Sequence, residues 1–325
     1  MAQNVISAEA KAMSVAGRTF IFAGRVAGSL PPIRGKVRVL NALHKWLGLV
    51  DKPLAVAANL RRPTRYRAQL DMRSWLQRLA FLSGGYEADT VEFLLRLSAT
   101  GAQRGYLLDI GANIGLISIP FAIRTQLLSP SISNGSVVVA IEAVPANFRA
   151  LSTNVAINHL QSAVKMFETA LGDETKEIEI LVEGDLVAGQ GTGTASILPS
   201  DSTFACVRQR LQLRRLDDLG LPSGCTVIKI DTDGYDLKVL LGADKFLASE
   251  RPVIFGEFSA HCMQWHEQTV ADVVEFCAQR NYQVWQRLAD KLSFFETVDP
   301  QSYSQDLLLV PVERRQQFLW ALDAH

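Results

Sequence analysis

Residues 106–115 read YLLDIGANIG, and this run constrains the fold more than any other stretch. Apolar and aromatic positions lead through Asp109 and Ile110 to Gly111, Ala112, Asn113 and Gly115. A short apolar run ended by turn residues reads as a buried parallel strand. The apolar run after it, residues 114–123, reads as a helix packed back on that strand. Strand, glycine turn and helix in this order form a corner for an anion or a nucleotide. The glycines let a ligand approach the backbone, and the helix start offers free N–H groups.

The rest of the chain extends this corner into a sheet. Residues 136–141 (SVVVAI) form a second buried strand ending at Glu142, with Pro145 placed for the first turn of the helix over residues 146–158. Residues 164–169 make a third strand. Residues 177–182 and 207–213 alternate as an antiparallel excursion around the glycine-rich GDLVAGQGTGTAS, a hairpin tip or a lid. Residues 226–230 form the fourth parallel strand, ending at Asp231, and one helix covers about residues 236–247. Residues 253–258, 281–288 and 304–310 complete a doubly wound, mostly parallel α/β sheet of seven strands, with one antiparallel. Upstream, residues 1–65 read as a basic helical extension broken at Pro31-Pro32 and Pro53. Residues 61–67 (RRPTRYR) read as a surface link, and residues 69–82 and 87–97 as helices. The domain proper then spans residues 66–325.

Composition narrows the class. Nearly half of the 325 residues are apolar, enough for a sizeable core. Cys206, Cys225, Cys262 and Cys277 show no paired spacing, which fits reduced thiols in a cytoplasmic protein. No apolar run reaches the roughly 18 residues of a membrane span; Arg18 and Arg25 interrupt the nearest one, which for the same reason fails as a signal peptide. Residues 1–80 hold 14 Lys/Arg against three acids, a net of +11, and the remainder is net −11. The basic part therefore faces something acidic: a membrane surface, an anionic glycan, nucleic acid or the protein's own acidic body.

Ligands of open parallel sheets bind beyond the carboxyl ends of the strands. Asp109, Glu142, Thr169, Asp231 and Glu257 stand at those ends, four of them carboxylates that burial would penalise unless they had partners. Glu142 is placed to accept hydrogen bonds from ribose hydroxyls, which suits NAD and S-adenosylmethionine alike. The turn discriminates between them. NAD sites need a glycine where Asn113 stands and a third glycine that is missing here, and Asp109 would repel a pyrophosphate. Asp109 suits instead the cationic amino-acid end of S-adenosylmethionine.

The blocks LLDIGANIG, AIEAVPANFRALSTNVAIN, ETALGD, IKIDTDGYDLKVLLGA and RPVIFGEF, in this order over about residues 66–260, resemble the FkbM-type methyltransferases. The resemblance implies a class I, Rossmann-like S-adenosylmethionine-dependent fold that methylates hydroxyl oxygens of a small molecule or glycan. Under it, Asp109, Gly111, Asn113 and Gly115 hold the amino-acid end of the cofactor. Glu142 takes the ribose, Thr169 and Ala170 face the adenine, and Asp231 stands at the reacting end. The sequence departs from the family pattern at EAVP, which lacks a proline, and at DTDGYD (Asp231, Asp233, Asp236), where aspartates replace two glutamates. Such a reaction needs an acceptor oxygen aligned with the methyl group and a base for its proton. Asp231, Glu257 and His261 are the candidate bases, histidine being the residue type that titrates nearest neutrality. No metal motif is present, although Asp231 with Asp233 could hold Mg²⁺. A nucleic-acid methyltransferase is disfavoured because the fourth strand ends in DTDG rather than an NPPY-type motif. A non-catalytic scaffold would also retain the fold.

Overall fold

The computed structural model of the protein describes residues 14–99, 105–128, 137–183, 206–288, 291–297 and 304–318. The chain opens with two helices, α1 (Val15–Ser29) and α2 (Lys36–Trp46), then strands β1 (Ala55–Leu60) and β2 (Tyr66–Asp71) and helices α3 (Trp75–Ser83) and α4 (Ala88–Ser98). β1 and β2 pair as an antiparallel hairpin, with Leu60 opposite Tyr66. The link expected at residues 61–67 is therefore the hairpin turn and the start of β2, and the helix expected from residue 69 begins only at Trp75. The reason is periodicity: Tyr66, Ala68 and Leu70 are buried while Arg67 and Gln69 are exposed, a period of two. The free edge of β2 is covered by asparagines. Asn154 Oδ1 accepts from the Gln69 N–H at 2.7 Å, and Asn158 Oδ1 from the Arg67 N–H at 2.8 Å.

From β3 (Tyr106–Ile110) the chain builds the main sheet. α5 (Ser118–Leu128), β4 (Val138–Glu142), α6 (Pro145–Ile157) and β5 (Val164–Glu168) come next in turn. β6 (Ala170–Leu171), β7 (Lys176–Glu183) and β8 (Cys206–Arg214) form a separate three-stranded sheet, with β7 and β8 antiparallel. The glycine-rich tip expected between them lies outside the described residues. β9 (Cys225–Ile230) returns to the main sheet, and α7 (Asp236–Leu241), α8 (Asp244–Glu250), β10 (Val253–Ser259), α9 (Ala260–Gln264) and α10 (Val270–Gln279) continue it. β11 (Tyr282–Leu288), β12 (Lys291–Phe294) and β13 (Ser304–Pro311) close it.

The order across this sheet is β12-β11-β13-β10-β9-β3-β4-β5. It has eight strands rather than the expected seven because β12 folds back antiparallel on β11. β13 runs antiparallel between β10 and β11. Alternate residues feed the two faces: Leu107 and Val138 join one buried cluster, Leu108 and Val139 the other. The first cluster also takes Phe20, Leu49 and Phe81, so the N-terminal helices share a core with the sheet.

Two further helices differ from expectation. α5 starts at Ser118 and not at residue 114, because Gly111, Asn113 and Gly115 all take left-handed backbone conformations. The helix expected over residues 236–247 is divided at Gly242, where a Cβ would lie 1.8 Å from the Gly172 carbonyl oxygen.

Candidate functional site

β3 lies between β9 and β4, so the chain winds outward in opposite directions from it, and a crevice opens at the carboxyl ends of β3 and β9. A cavity of about 260 Å³ occupies this crevice. Asp109, Gly111, Asn113, Glu142, Thr169, Ala170, Asp231 and Glu257 all line it. Gly115 and His261 do not.

The turn after β3 shapes the floor. At Gly111 φ is +78°, and a Cβ would lie 1.9 Å from the Asp231 carbonyl oxygen. Only glycine lets the two strand ends approach so closely. Asn113, at φ +51°, takes the conformation a glycine would have, and its side-chain oxygen accepts from the Ile114 N–H at 2.8 Å. Gly115 acts from outside the cavity: its missing Cβ makes room for Leu151 and Ile119, which seats the helices α5 and α6.

Glu142 is buried. Its Oε2 accepts from the Asn113 N–H at 2.8 Å, and its Oε1 from the Val144 N–H at 2.9 Å. Burial raises its pKa above the usual carboxylate range, and these two backbone donors oppose the rise. Oε1 also accepts a long bond from Asn147 Nδ2 at 3.5 Å, whereas Oε2, with one donor, keeps a lone pair for a ligand hydroxyl. Thr169 lines the wall, and its hydroxyl donates to the Gln212 carbonyl at 3.0 Å.

Asp109 is wholly buried; its Oδ2 accepts from Ser118 Oγ, and its Oδ1 takes no hydrogen bond from another described residue. Lys229 faces it, being paired in register with Asp109 across β3 and β9. Lys229 on β9 and Asp231 just past its end stand two residues apart and meet on the same side. Lys229 Nζ lies 3.0 Å from Asp231 Oδ2 and 3.9 Å from Asp109 Oδ1. Burial works to lower the Lys229 pKa, but attraction to Asp231, Asp109 and Glu87 outweighs it and holds the ammonium charged. Burial also raises the Asp109 pKa, against the pull of Lys229. Sequence reasoning missed Lys229, although it stands within IKIDTDG. The signal was a lysine in an otherwise apolar strand, two positions before a strand-end carboxylate.

The loop after β9 separates the three aspartates of DTDGYD. Asp236 is buried and turned onto its own loop, its Oδ1 accepting from the Thr232 N–H at 2.8 Å and its Oδ2 from the Gly234 N–H at 3.1 Å. Its shortened side chain therefore shapes the loop rather than meeting a ligand. Asp233 lines the cavity, and burial together with the charges of Asp231 and Asp236 pushes its pKa up to about 8. At this loop, the site of the Mg²⁺ expectation, Lys229 engages Asp231 at 3.0 Å, and its charge opposes a divalent ion beside that carboxylate. Among the described residues no group of three or more His, Cys, Asp or Glu side chains is arranged to hold a metal.

A second cavity, of about 450 Å³, adjoins the first across Lys229, Asp231 and Glu257. Glu87, Asp89, Thr90, Arg287 and Asp306 contribute to its walls. Glu257 and Asp306 sit directly opposite each other across β10 and β13. Burial, with repulsion from Glu257 and Glu87, lifts Asp306 to about 6 against the pull of Arg287. Asp306 and Arg287 left no local trace in the sequence, since only strand register brings them here. His261 lies on α9, exposed, its ring packed edge-on to Trp265 at 5.2 Å and outside both cavities.

The methyltransferase FkbM domain matches residues 109–296. Among solved structures the chain is similar to a methyltransferase FkbM from Methylobacillus flagellatus KT, at 17% identity and TM-score 0.40, covering 89% of this chain and 58% of that one. A precorrin-6y C5,15-methyltransferase from Geobacter metallireducens GS-15 is similar at 17% identity and TM-score 0.37, over 68% of this chain and 87% of that one. The tRNA m1G37 methyltransferase of M. jannaschii is similar at 11% identity and TM-score 0.42, over 80% of this chain and 56% of that one. No curated protein matches the chain.

Proposed function

The chain belongs to the FkbM methyltransferase family, and from that premise we propose that it methylates a hydroxyl oxygen of a small molecule or glycan with S-adenosylmethionine. In this reading residues 66–325 form the catalytic domain and residues 1–65 an N-terminal extension, whose described part shares a core with it. The carrying observation is that Asp109, Glu142 and Asp231 meet in one cavity, with an acid-rich second cavity opening beside Asp231.

The residues present fit the cofactor. Asp109 Oδ1, buried and without a donor among the described residues, suits an incoming ammonium, and the Glu142 carboxylate suits ribose hydroxyls. Thr169 and Ala170 belong to the cavity wall and would face the adenine. When bound, S-adenosylmethionine supplies an electrophilic methyl group on a sulfonium. The protein's own share is alignment and proton handling. Asp231 and Glu257 border both cavities and so can orient an acceptor hydroxyl and take its proton, which is worth about 10²–10⁴-fold. Lys229, 3.0 Å from Asp231 Oδ2, holds that carboxylate in position between the two cavities. His261 keeps its place among the candidate bases only through a rearrangement of α9, and it ranks behind the two carboxylates. The carboxylates of the second cavity favour an acceptor rich in hydroxyl donors.

Calorimetric titration with S-adenosylhomocysteine tests the cofactor assignment. Asp109→Ala and Glu142→Ala should each weaken binding roughly tenfold to a hundredfold, since each removes a hydrogen bond to a charged group. Unchanged affinity in both variants would refute the assignment. Incubating cell extract with methyl-labelled cofactor, then locating the label by NMR, tests the acceptor atom; label on nitrogen or carbon would overturn the O-methyl reading.

A further inference from the structure

The outer surface of the N-terminal helices is unlike that of an ordinary soluble helix pair. Residues 14–50 contain six Lys/Arg and no acid. α1 turns Phe20, Ile21, Gly24 and Ala27 inward, while its opposite face presents Val15, Arg18, Phe22, Arg25 and Val26, with Leu30 just past its end. The exposed side of α2 carries Arg38, Val39, Lys45 and Trp46. Phe22 is 72% exposed and Trp46 81%. Nine of the 13 large apolar side chains exposed among the described residues lie between Val15 and Trp75, so they concentrate in the N-terminal part of the chain. A surface helix normally keeps its outer face polar.

The two helices are held together. The rings of Phe20 and His44 lie 4.8 Å apart, and Lys36 Nζ donates to the Ala27 carbonyl at 2.7 Å. The hairpin turn of residues 61–65 is tied to the same place, because Arg62 donates to the carbonyls of Leu30 and Ser83. Beside that turn Arg61, Arg65, Arg67 and His159 line a cavity of about 650 Å³ that has no acidic side chain. Arg18, Arg25, Arg38, Lys45, Arg61 and Arg65 make no ion pair with another described residue.

We propose that this face binds the surface of an anionic lipid bilayer. Phe22, Val39 and Trp46 enter the headgroup boundary, and the surrounding arginines and lysines meet lipid phosphates. The pattern favours lipid over nucleic acid because apolar and basic side chains alternate on the same helix face. A bilayer interface rewards both kinds at once, whereas a polyanion in water rewards only the cations. The helices lie on the membrane and do not cross it: among the described residues none is long and apolar enough to span.

The test is co-sedimentation of the full chain with vesicles of phosphatidylcholine alone or mixed with phosphatidylglycerol. Binding is expected only to the anionic vesicles and should weaken with added salt. Phe22→Ser with Trp46→Ser, and separately Arg18→Gln with Arg25→Gln, should each lower vesicle binding roughly tenfold. Thermal stability and S-adenosylhomocysteine affinity should stay unchanged, because all four side chains are exposed and outside the site. A blue shift of tryptophan emission on vesicle binding should shrink in Trp46→Phe. Vesicle binding undiminished in both double variants, or binding to RNA but not to vesicles, would overturn the proposal. So would light scattering that shows a dimer lost on Phe22→Ser with Trp46→Ser, since a second copy would then be what covers this face.

Discussion

Asp233 is the residue whose protonation couples the site to pH most directly. Burial and the charges of Asp231 and Asp236 raise its pKa from the ordinary carboxylate range to about 8, so the folded protein holds a proton that the unfolded chain has lost. A group raised in the folded state contributes stability that is complete below its unfolded pKa and is lost as pH climbs through its folded pKa. Thermal midpoints should therefore decline from pH 4 to pH 8 in the native protein, and decline less in Asp233→Asn. Asparagine suits the position because Asp233 sits at φ +53°, where it is better tolerated than most residues. Parallel midpoint curves for the two proteins would show that Asp233 does not carry the dependence. Lys229 opposes the rise at Asp233, and its charge also attracts the neighbouring carboxylates of Asp109 and Asp231.

At the scale of elements, the approach of β3 to β9 depends on one missing side chain. In Gly111→Ala the new Cβ would lie 1.9 Å from the Asp231 carbonyl oxygen, and the backbone would keep a positive φ. Gly220 is also left-handed, at φ +59°, but a Cβ there would meet nothing within 4 Å. Gly220→Ala should thus cost only the conformational penalty, about 1–2 kcal/mol. Gly111→Ala should cost more and abolish measurable S-adenosylhomocysteine binding by pushing the strand ends apart. Denaturant unfolding with a calorimetric titration distinguishes the two variants, and equal losses in both would mean that the close approach does not matter. The same crowding explains why α5 begins late: three left-handed residues must be passed before helical backbone can start.

For the molecule as a whole, the question is whether the N-terminal helices are an independent piece. Phe20 has no exposed surface and belongs to the same buried cluster as Leu107 and Val138 of the sheet. Phe20→Ala should cost about 3–5 kcal/mol and lower the midpoint of one cooperative transition; a separate early transition that left the rest intact would contradict the shared core. This embedding was not legible in the sequence, where proline breaks and basic composition set residues 1–65 apart from the sheet-forming part of the chain. The hairpin of β1 and β2 was missed for a related reason, since its pairing joins residues on either side of a turn that reads as a link. The sequence by itself determined the corner at residues 106–115 and the row of acids at the strand ends. Apolar runs, glycines and carboxylates are local signals, and parallel strands in one sheet necessarily finish on the same rim. Tertiary structure alone decided the placement of Lys229 between two acids, the meeting of Glu257 with Asp306 and Arg287, and the position of His261 away from both cavities. Those outcomes depend on register between strands and on the direction of a short helix, which no stretch of neighbouring residues encodes.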